Sequence, residues 1–166
     1  MDEAAYAYLL GVYLGDGWLS SHRGSQHRLR VALDAQYPLI TFEVAQAMSV
    51  LADGHRVDRR LKATEACIVV GSYGAHRFEL FPQHGPGPKH TRPIALERWQ
   101  DECVDAFPEL FVRGLFQTDR GRTPWHSLMN SWARRPKPTA RLGARRRAAN
   151  VGPEWVATLD RSNFSA

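Results

Sequence analysis

Two stretches of the chain, LLGVYLGDG at 9–17 and VRGLFQTDR at 112–120, carry one pattern: a glycine among apolar residues at helical spacing, then an aspartate where the helix runs out. Aligned, Gly11 falls on Gly114, Val12 on Leu115, Tyr13 on Phe116 and Asp16 on Asp119. Gly11 and Gly15 stand four residues apart and so share one face of the first helix. Helices approach closely only where the facing side chains are small, which predicts a helix–helix interface marked by Gly11, Gly15 and Gly114. An Asp-Gly pair after an amphipathic helix is ordinarily a cap or a turn. Its recurrence in a matching segment points to something more than a turn.

Periodicity supplies the elements between the two motifs. Ala4 to Leu14 reads as a helix, with Asp2 as N-cap and Asp16-Gly17 as stop signal. Trp18 to Ser20 and the alternating RLRVALD of Arg28 to Asp34 read as two strands around the polar loop Ser21 to His27. Pro38 opens a second amphipathic helix that runs to Leu51 and closes at Asp53-Gly54. Arg56 to Lys62 and Ala66 to Ser72 follow as strands, while Arg77 to Phe81 is too short to assign. PQHGPGPKHTRP, residues 82–93, has four prolines and two glycines and is expected to hold no regular structure; its two histidines are loop polar groups or metal ligands. Helices from Leu96 to Ala106 and from Pro108 to Asp119 complete the order: helix, two strands, helix, two strands, helices.

These motifs, in this order, resemble the LAGLIDADG homing endonuclease family, in which two such helices pack side by side at the centre of a pseudo-symmetric αββαββα pair. Within that family the chain is similar to small bacterial proteins that carry FPQHGPG, here residues 81–87, between the halves. The resemblance implies an α+β fold, a homing-endonuclease-like saddle of two halves with the second incomplete. Residues 1–106 would form the first half, with 82–93 as a Pro/Gly linker. Residues 107–166 would supply the second motif helix and a basic, atypical C-terminal segment. Two departures stand out. Arg120 occupies the place where glycine usually follows the aspartate, and the 47 residues after Asp119 barely accommodate a second sheet. The stretch RRPKPTARLGARRRAAN lacks strand alternation, and only EWVATL, 154–159, looks ordered.

The motif's chemistry follows from its residue types. Two aspartates brought together repel, and both stay ionised mainly beside a hard cation such as Mg²⁺. Mg²⁺ held by few carboxylates keeps waters and accepts phosphate oxygens, the requirements of phosphodiester hydrolysis. Asp16 and Asp119 are thus the candidate catalytic residues, and they form the candidate metal site with Gly15 and Thr118; the cofactor is Mg²⁺ or another divalent cation. Lys62 and Lys89 are candidates for water activation or phosphate charge, and Gln117 for a place near the metals. Tyr13 and Trp18 read as core or helix-interface aromatics.

The partner the resemblance implies is double-stranded DNA, laid across the saddle. Candidate DNA-binding residues are Arg23, His27, Arg28 and Arg30 from the first hairpin and Arg56, Arg59, Arg60 and Lys62 from the next strand, alternate ones sharing a face. For any one of them a solvated strand edge is an equal reading. Charge is uneven: residues 1–119 hold 12 Lys/Arg and 15 Asp/Glu, residues 120–166 hold 10 and 2. The basic tail is either a polyanion contact or a solvated end. Apolar runs fall short of a bilayer span and Met1-Asp2-Glu3 lacks a basic leader, so a cytoplasmic protein without membrane partner is expected. Cys67 and Cys103 suggest neither disulfide nor zinc site and read as small buried hydrophobes. Three functions remain open: a metal-dependent, site-specific DNA endonuclease; a catalytically silent DNA-binding or regulatory protein on the same fold; and a truncated, inactive family member. A chain with two motifs acts as a monomer, whereas a defective second half favours a homodimer.

Overall fold

The computed structural model describes residues 1–22, 26–52, 54–62, 66–87, 89–91 and 94–118, all within one compact unit that spans 1–123. Helix α1 (Glu3–Asp16) is followed by strands β1 (Gly17–Ser21) and β2 (His27–Asp34), helix α2 (Pro38–Val50) by strands β3 (Val57–Lys62) and β4 (Cys67–Gly74), and helices α3 (Arg77–Leu80), α4 (Arg98–Ala106) and α5 (Pro108–Thr118) come last. The strands form an antiparallel sheet in the order β1-β2-β4-β3, so the fold is α+β. No helix among the described residues is long and apolar enough to cross a membrane.

Helix α1 starts where expected: the Asp2 carboxylate accepts from the Ala5 N–H at 2.8 Å, satisfying one orphan donor of the first turn. From Ala4 to Gly15 every residue is buried. A helix buried on all sides must hide its polar atoms, and its tyrosines do so with partners. Tyr6 donates to the Leu80 carbonyl at 2.6 Å and accepts from Gln100. Tyr8 donates to Gln117 at 2.7 Å. Tyr13 packs against Phe81, ring centroids 4.7 Å apart.

The close partner of α1 is α5, and the contact is reciprocal. A Cβ at Gly11 would overlap the Phe111 carbonyl oxygen and lie 2.8 Å from the Leu115 nitrogen. A Cβ at Gly114 would overlap the Tyr8 carbonyl oxygen and lie 3.0 Å from the Val12 nitrogen. The shift that carries Gly11 to Gly114 also carries Tyr8 to Phe111 and Val12 to Leu115, so the sequence repeat is a local two-fold relation between the helices. Beside the pair, Glu43 of α2 is 5% exposed. It is paired with Arg113 and accepts from Gln117 Nε2 at 3.1 Å, tying α2 to α5.

Elsewhere the element order agrees with the sequence reading, with two differences. Lys89–Thr91 forms a single 3-10 turn inside the Pro/Gly segment, which was expected to be irregular throughout. That segment is also pinned: Phe81 is fully buried, Gln83 Nε2 donates to the Ala95 carbonyl at 3.0 Å and meets Gln100, and His84 stacks on Phe78 at 3.9 Å. One cysteine differs as well. Cys103 is buried and its thiol faces the Glu3 carbonyl, but Cys67, at the start of β4, is only half-buried. The basic tail and its EWVATL stretch lie outside the described residues.

Replacing Gly11 or Gly114 by Ala should destabilise the protein by about 2–3 kcal/mol or more, although Ala favours an isolated helix by about 1 kcal/mol, because the obstructing atoms are backbone and the helices must separate. Chemical denaturation of both variants measures it. Burial raises the ionisation of Tyr6 and Tyr8 above the ordinary phenol range and pushes the Cys103 thiol up to about 12. These groups favour the folded state while protonated, so their contribution is present below their unfolded values and is lost as pH rises above them. Ultraviolet titration should find Tyr6 and Tyr8 ionising only as the chain unfolds at alkaline pH, and thiol alkylation of native protein should spare Cys103.

Candidate functional site

Two regions hold the residues singled out above: the ends of α1 and α5, and the sheet face that the helices leave uncovered. At the first, a cleft of about 260 Å³ is lined by Asp16, Asp34, Tyr37, Phe116, Gln117 and Thr118. Asp16 is exposed at the last position of α1, and Asp34 ends β2, where its carboxylate accepts from the Gln36 N–H at 2.8 Å. Asp119, the other half of the expected pair, lies outside the described residues; Thr118 directly before it ends α5.

The end of α1 is closed by an ammonium group. Lys89 Nζ donates to the carbonyl oxygens of Tyr13, of Gly15 at 3.0 Å and of Gly17 at 2.6 Å, and sits 4.8 Å from the Tyr13 ring centroid. The last carbonyls of a helix lack partners within it and carry the negative end of its dipole, so a cation among them is well matched. Lys89 thereby ties the linker to the turn that presents Asp16. Gly15, expected to contribute to a metal site, turns its carbonyl toward this ammonium. Thr118, expected there too, is 2% exposed, and its hydroxyl is directed to the Gly114 carbonyl at 3.0 Å. The Gly15 carbonyl and the Thr118 hydroxyl are thus turned to the helix ends, and Thr118 lines the cleft. Gln117 lines the cleft, but its side chain is committed to Tyr8 and Glu43.

These oxygens are of the type a hard divalent cation takes: Asp16 is a solvent-exposed carboxylate, with Asp34 lining the same cleft. Among the described residues no three His, Cys, Asp or Glu side chains cluster as a metal group.

The second region follows from strand period. Leu29, Val31 and Leu33 of β2 are buried against the helices, so Arg28 and Arg30 point the other way. Register adds their neighbours: Trp18 lies opposite Arg30, Tyr73 opposite Arg28, and Asp58 and Arg60 follow on β3 across Gly71 and Val69. Lys62, at the end of β3, belongs to the same set. Arg30 donates to Ser20 Oγ at 2.9 Å and lies over the Trp18 ring at 5.2 Å. Arg28 lies over Tyr73 at 5.0 Å and donates to Asp58 at 2.6 Å. An open cavity of about 520 Å³ beside them is lined by Gln26, His55, Arg56, Asp58, Arg60 and Tyr73.

Of the expected DNA-binding residues, the structure thus brings together Arg28, Arg30, Arg60 and Lys62, with Arg56 at the rim. Two fall elsewhere for the same physical reason, the two-residue period. His27 turns to the helix side and stacks on Phe78 at 3.7 Å, and Arg59, paired with Val70, points away from Arg60. Arg23 lies outside the described residues. Trp18 corrects the sequence reading: it is 37% exposed on the arginine face, whereas Tyr13 is in the core as expected. Asp58, Gly71 and Tyr73 were not anticipated. The alternation of VDRRLK already put Asp58 on the face of Arg60, but Gly71 and Tyr73 become neighbours only through pairing between strands.

Compared with protein-family models, with curated proteins and with solved structures, the chain matches none.

Removing the Lys89 ammonium while keeping its stem, by Lys89→Met, should cost about 1–2 kcal/mol, the scale of charge-assisted hydrogen bonds that are partly solvated. Urea unfolding measures the loss, and Lys89→Arg should recover part of it.

Proposed function

We propose that this chain is a divalent-metal-dependent, site-specific endonuclease of duplex DNA, built as a LAGLIDADG-type saddle. The observation that carries the reading is the reciprocal glycine packing of α1 and α5, which sets the end that presents Asp16 beside the end that leads into Asp119. Helix pairs need no such approach for stability alone, since larger side chains pack helices well at greater distance. Close approach matters when the groups at the helix ends must act together.

In this reading Asp16 and Asp119 hold a divalent cation, and the cation, when bound, supplies Lewis-acid activation of a water and charge stabilisation on the phosphate. The chain's own residues do the rest. Lys89 fixes the carbonyls around Asp16, which keeps the carboxylate at a defined place relative to the scissile bond. The uncovered sheet face, with Arg28, Arg30, Arg60 and Lys62 outnumbering Asp34 and Asp58, binds the duplex, and its in-register rows set the position of the backbone over the cleft. The alternative is a silent DNA-binding protein on the same frame, which Arg120 in place of the motif's glycine favours.

One experiment separates them. Purified full chain is incubated with a randomised duplex library, with Mg²⁺ or with chelator, and new ends are sequenced. The nuclease yields recurrent ends that need Mg²⁺ and disappear in Asp16→Asn. Cutting that persists in chelator rules it out. Retained duplex without ends supports the silent binder, with affinity falling steeply as salt rises, about one power of salt concentration per phosphate neutralised.

A further inference from the structure

Glu43 is a carboxylate buried on α2, and packing alone does not account for it. Both of its oxygens are engaged: Oε1 is paired with Arg113, while Oε2 accepts from Gln117 Nε2 at 3.1 Å and lies 3.4 Å from the Tyr8 hydroxyl. Tyr8 in turn donates to Gln117 Oε1 at 2.7 Å, so both ends of the Gln117 amide are held. A buried ion pair is a poor device for stability, because well-packed apolar side chains of similar volume do as well or better. The chain uses that apolar solution on the other motif helix. The shift that carries Gly11 to Gly114 carries Leu10 to Arg113 and Leu14 to Gln117, and both leucines are buried. Where α1 has two apolar side chains, α5 has the two polar ones that meet Glu43.

We propose that Glu43 is a positioning residue for the metal-binding end of α5: anchored by Arg113, it holds Gln117 and so sets where Asp119, two residues on, meets the cation. This rests on the reading of Asp16 and Asp119 as the metal ligands. The last turn of a helix frays because its carbonyls lack partners within the helix. A ligand just beyond that turn is placed only as well as the turn is held. On α1 the holding group is the Lys89 ammonium beneath Asp16. On α5 it is a pair of side chains, Arg113 and Gln117, tied to α2. The tie adjoins the cleft, since Ile40, three residues before Glu43 on α2, lines it together with Gln117 and Asp16. A satisfied hydrogen-bond network specifies one arrangement of its members. Metal ligands need such support, because groups that orient them from outside the coordination sphere raise the affinity of the site.

The test is Mn²⁺ binding to the full chain, followed through the electron paramagnetic resonance of the free ion, with thermal midpoints measured alongside. Wild type should bind the ion and Asp16→Asn should lose it, which locates the site. The double variant Glu43→Leu/Arg113→Leu removes one charge of each sign and gives α5 the residue that α1 has at Leu10. The Tyr8–Gln117 bond can persist in it, and Gln117 lines a cleft open to water. Its midpoint should equal or exceed that of wild type, yet its Mn²⁺ affinity should fall about tenfold. Gln117→Leu leaves the Glu43–Arg113 pair in place and should show the same fall, which decides the matter if the double variant does not fold. Glu43→Gln keeps an oxygen for Gln117 to donate to and should retain most of the affinity. Undiminished affinity in the folded double variant or in Gln117→Leu would make the network a packing element and overturn the proposal. A loss in Glu43→Gln as large as in the double variant would trace the effect to charge and overturn it as well. A wild type that binds no Mn²⁺, or binds it equally after Asp16→Asn, would instead remove the metal-site reading itself, and this proposal with it.

Discussion

Two glycines, each seated against the backbone of the opposite helix, set the terms for the rest of the molecule. With Gly11 against Phe111 and Gly114 against Tyr8, the contact surface between α1 and α5 is largely backbone, so nothing else can lie between them. Helix α1 is then enclosed from every side, and its three tyrosines have no route to water. Each hydroxyl or ring has to be met from another element: Tyr6 by Gln100 and the Leu80 carbonyl, Tyr8 by Gln117, Tyr13 by Phe81 and Lys89. The linker and α4 are in this sense consequences of the helix pair, recruited because buried polar groups are costly when unpaired. The two-fold relation is local. Phe116 is 56% exposed where its counterpart Tyr13 is enclosed, because the linker that covers Tyr13 serves only α1.

Charge is distributed by the same economy of burial. The helix side of the sheet takes Leu29, Val31, Leu33 and Val70, and the period of a strand sends Arg28, Arg30, Arg60 and Lys62 to the opposite side. There the cations do not float independently. Trp18, Tyr73, Ser20 and Asp58 hold Arg28 and Arg30 in defined places, so the surface has shape as well as sign. At the helix end the signs are reversed: a lysine from the linker satisfies the carbonyls beneath Asp16, and the carboxylates Asp16 and Asp34 line the adjoining cleft.

Much of this was legible in the order of residues. Alternation in RLRVALD, the glycine spacing of the motif helices, Pro at the first turn of α2 and α5 and the Asp2 cap are local signals, and local hydrogen bonding and side-chain period are enough to realise them. The cleft was half legible, since Asp16 is marked by its motif while Asp34 and Tyr37 reach it only through tertiary packing. Lys89 was legible as a cation near the right place, but its role as the cap of α1 depends on a turn 72 to 76 residues away in the chain. Trp18 misled because a large aromatic beside a buried helix has core preference, and only its register opposite Arg30 carries it to the outer face.

The sequence by itself determined which segments become helices and strands, which glycines mark the contact between the two motif helices, and which arginines can share a face, because each depends on spacing along the chain. The tertiary structure alone decided that Asp58 holds Arg28, that Gly71 opens the space for them, and that Lys89 closes the end of α1. Those arrangements join residues whose neighbours are chosen by strand pairing and helix packing, and no short-range pattern encodes which distant partner a charge will meet.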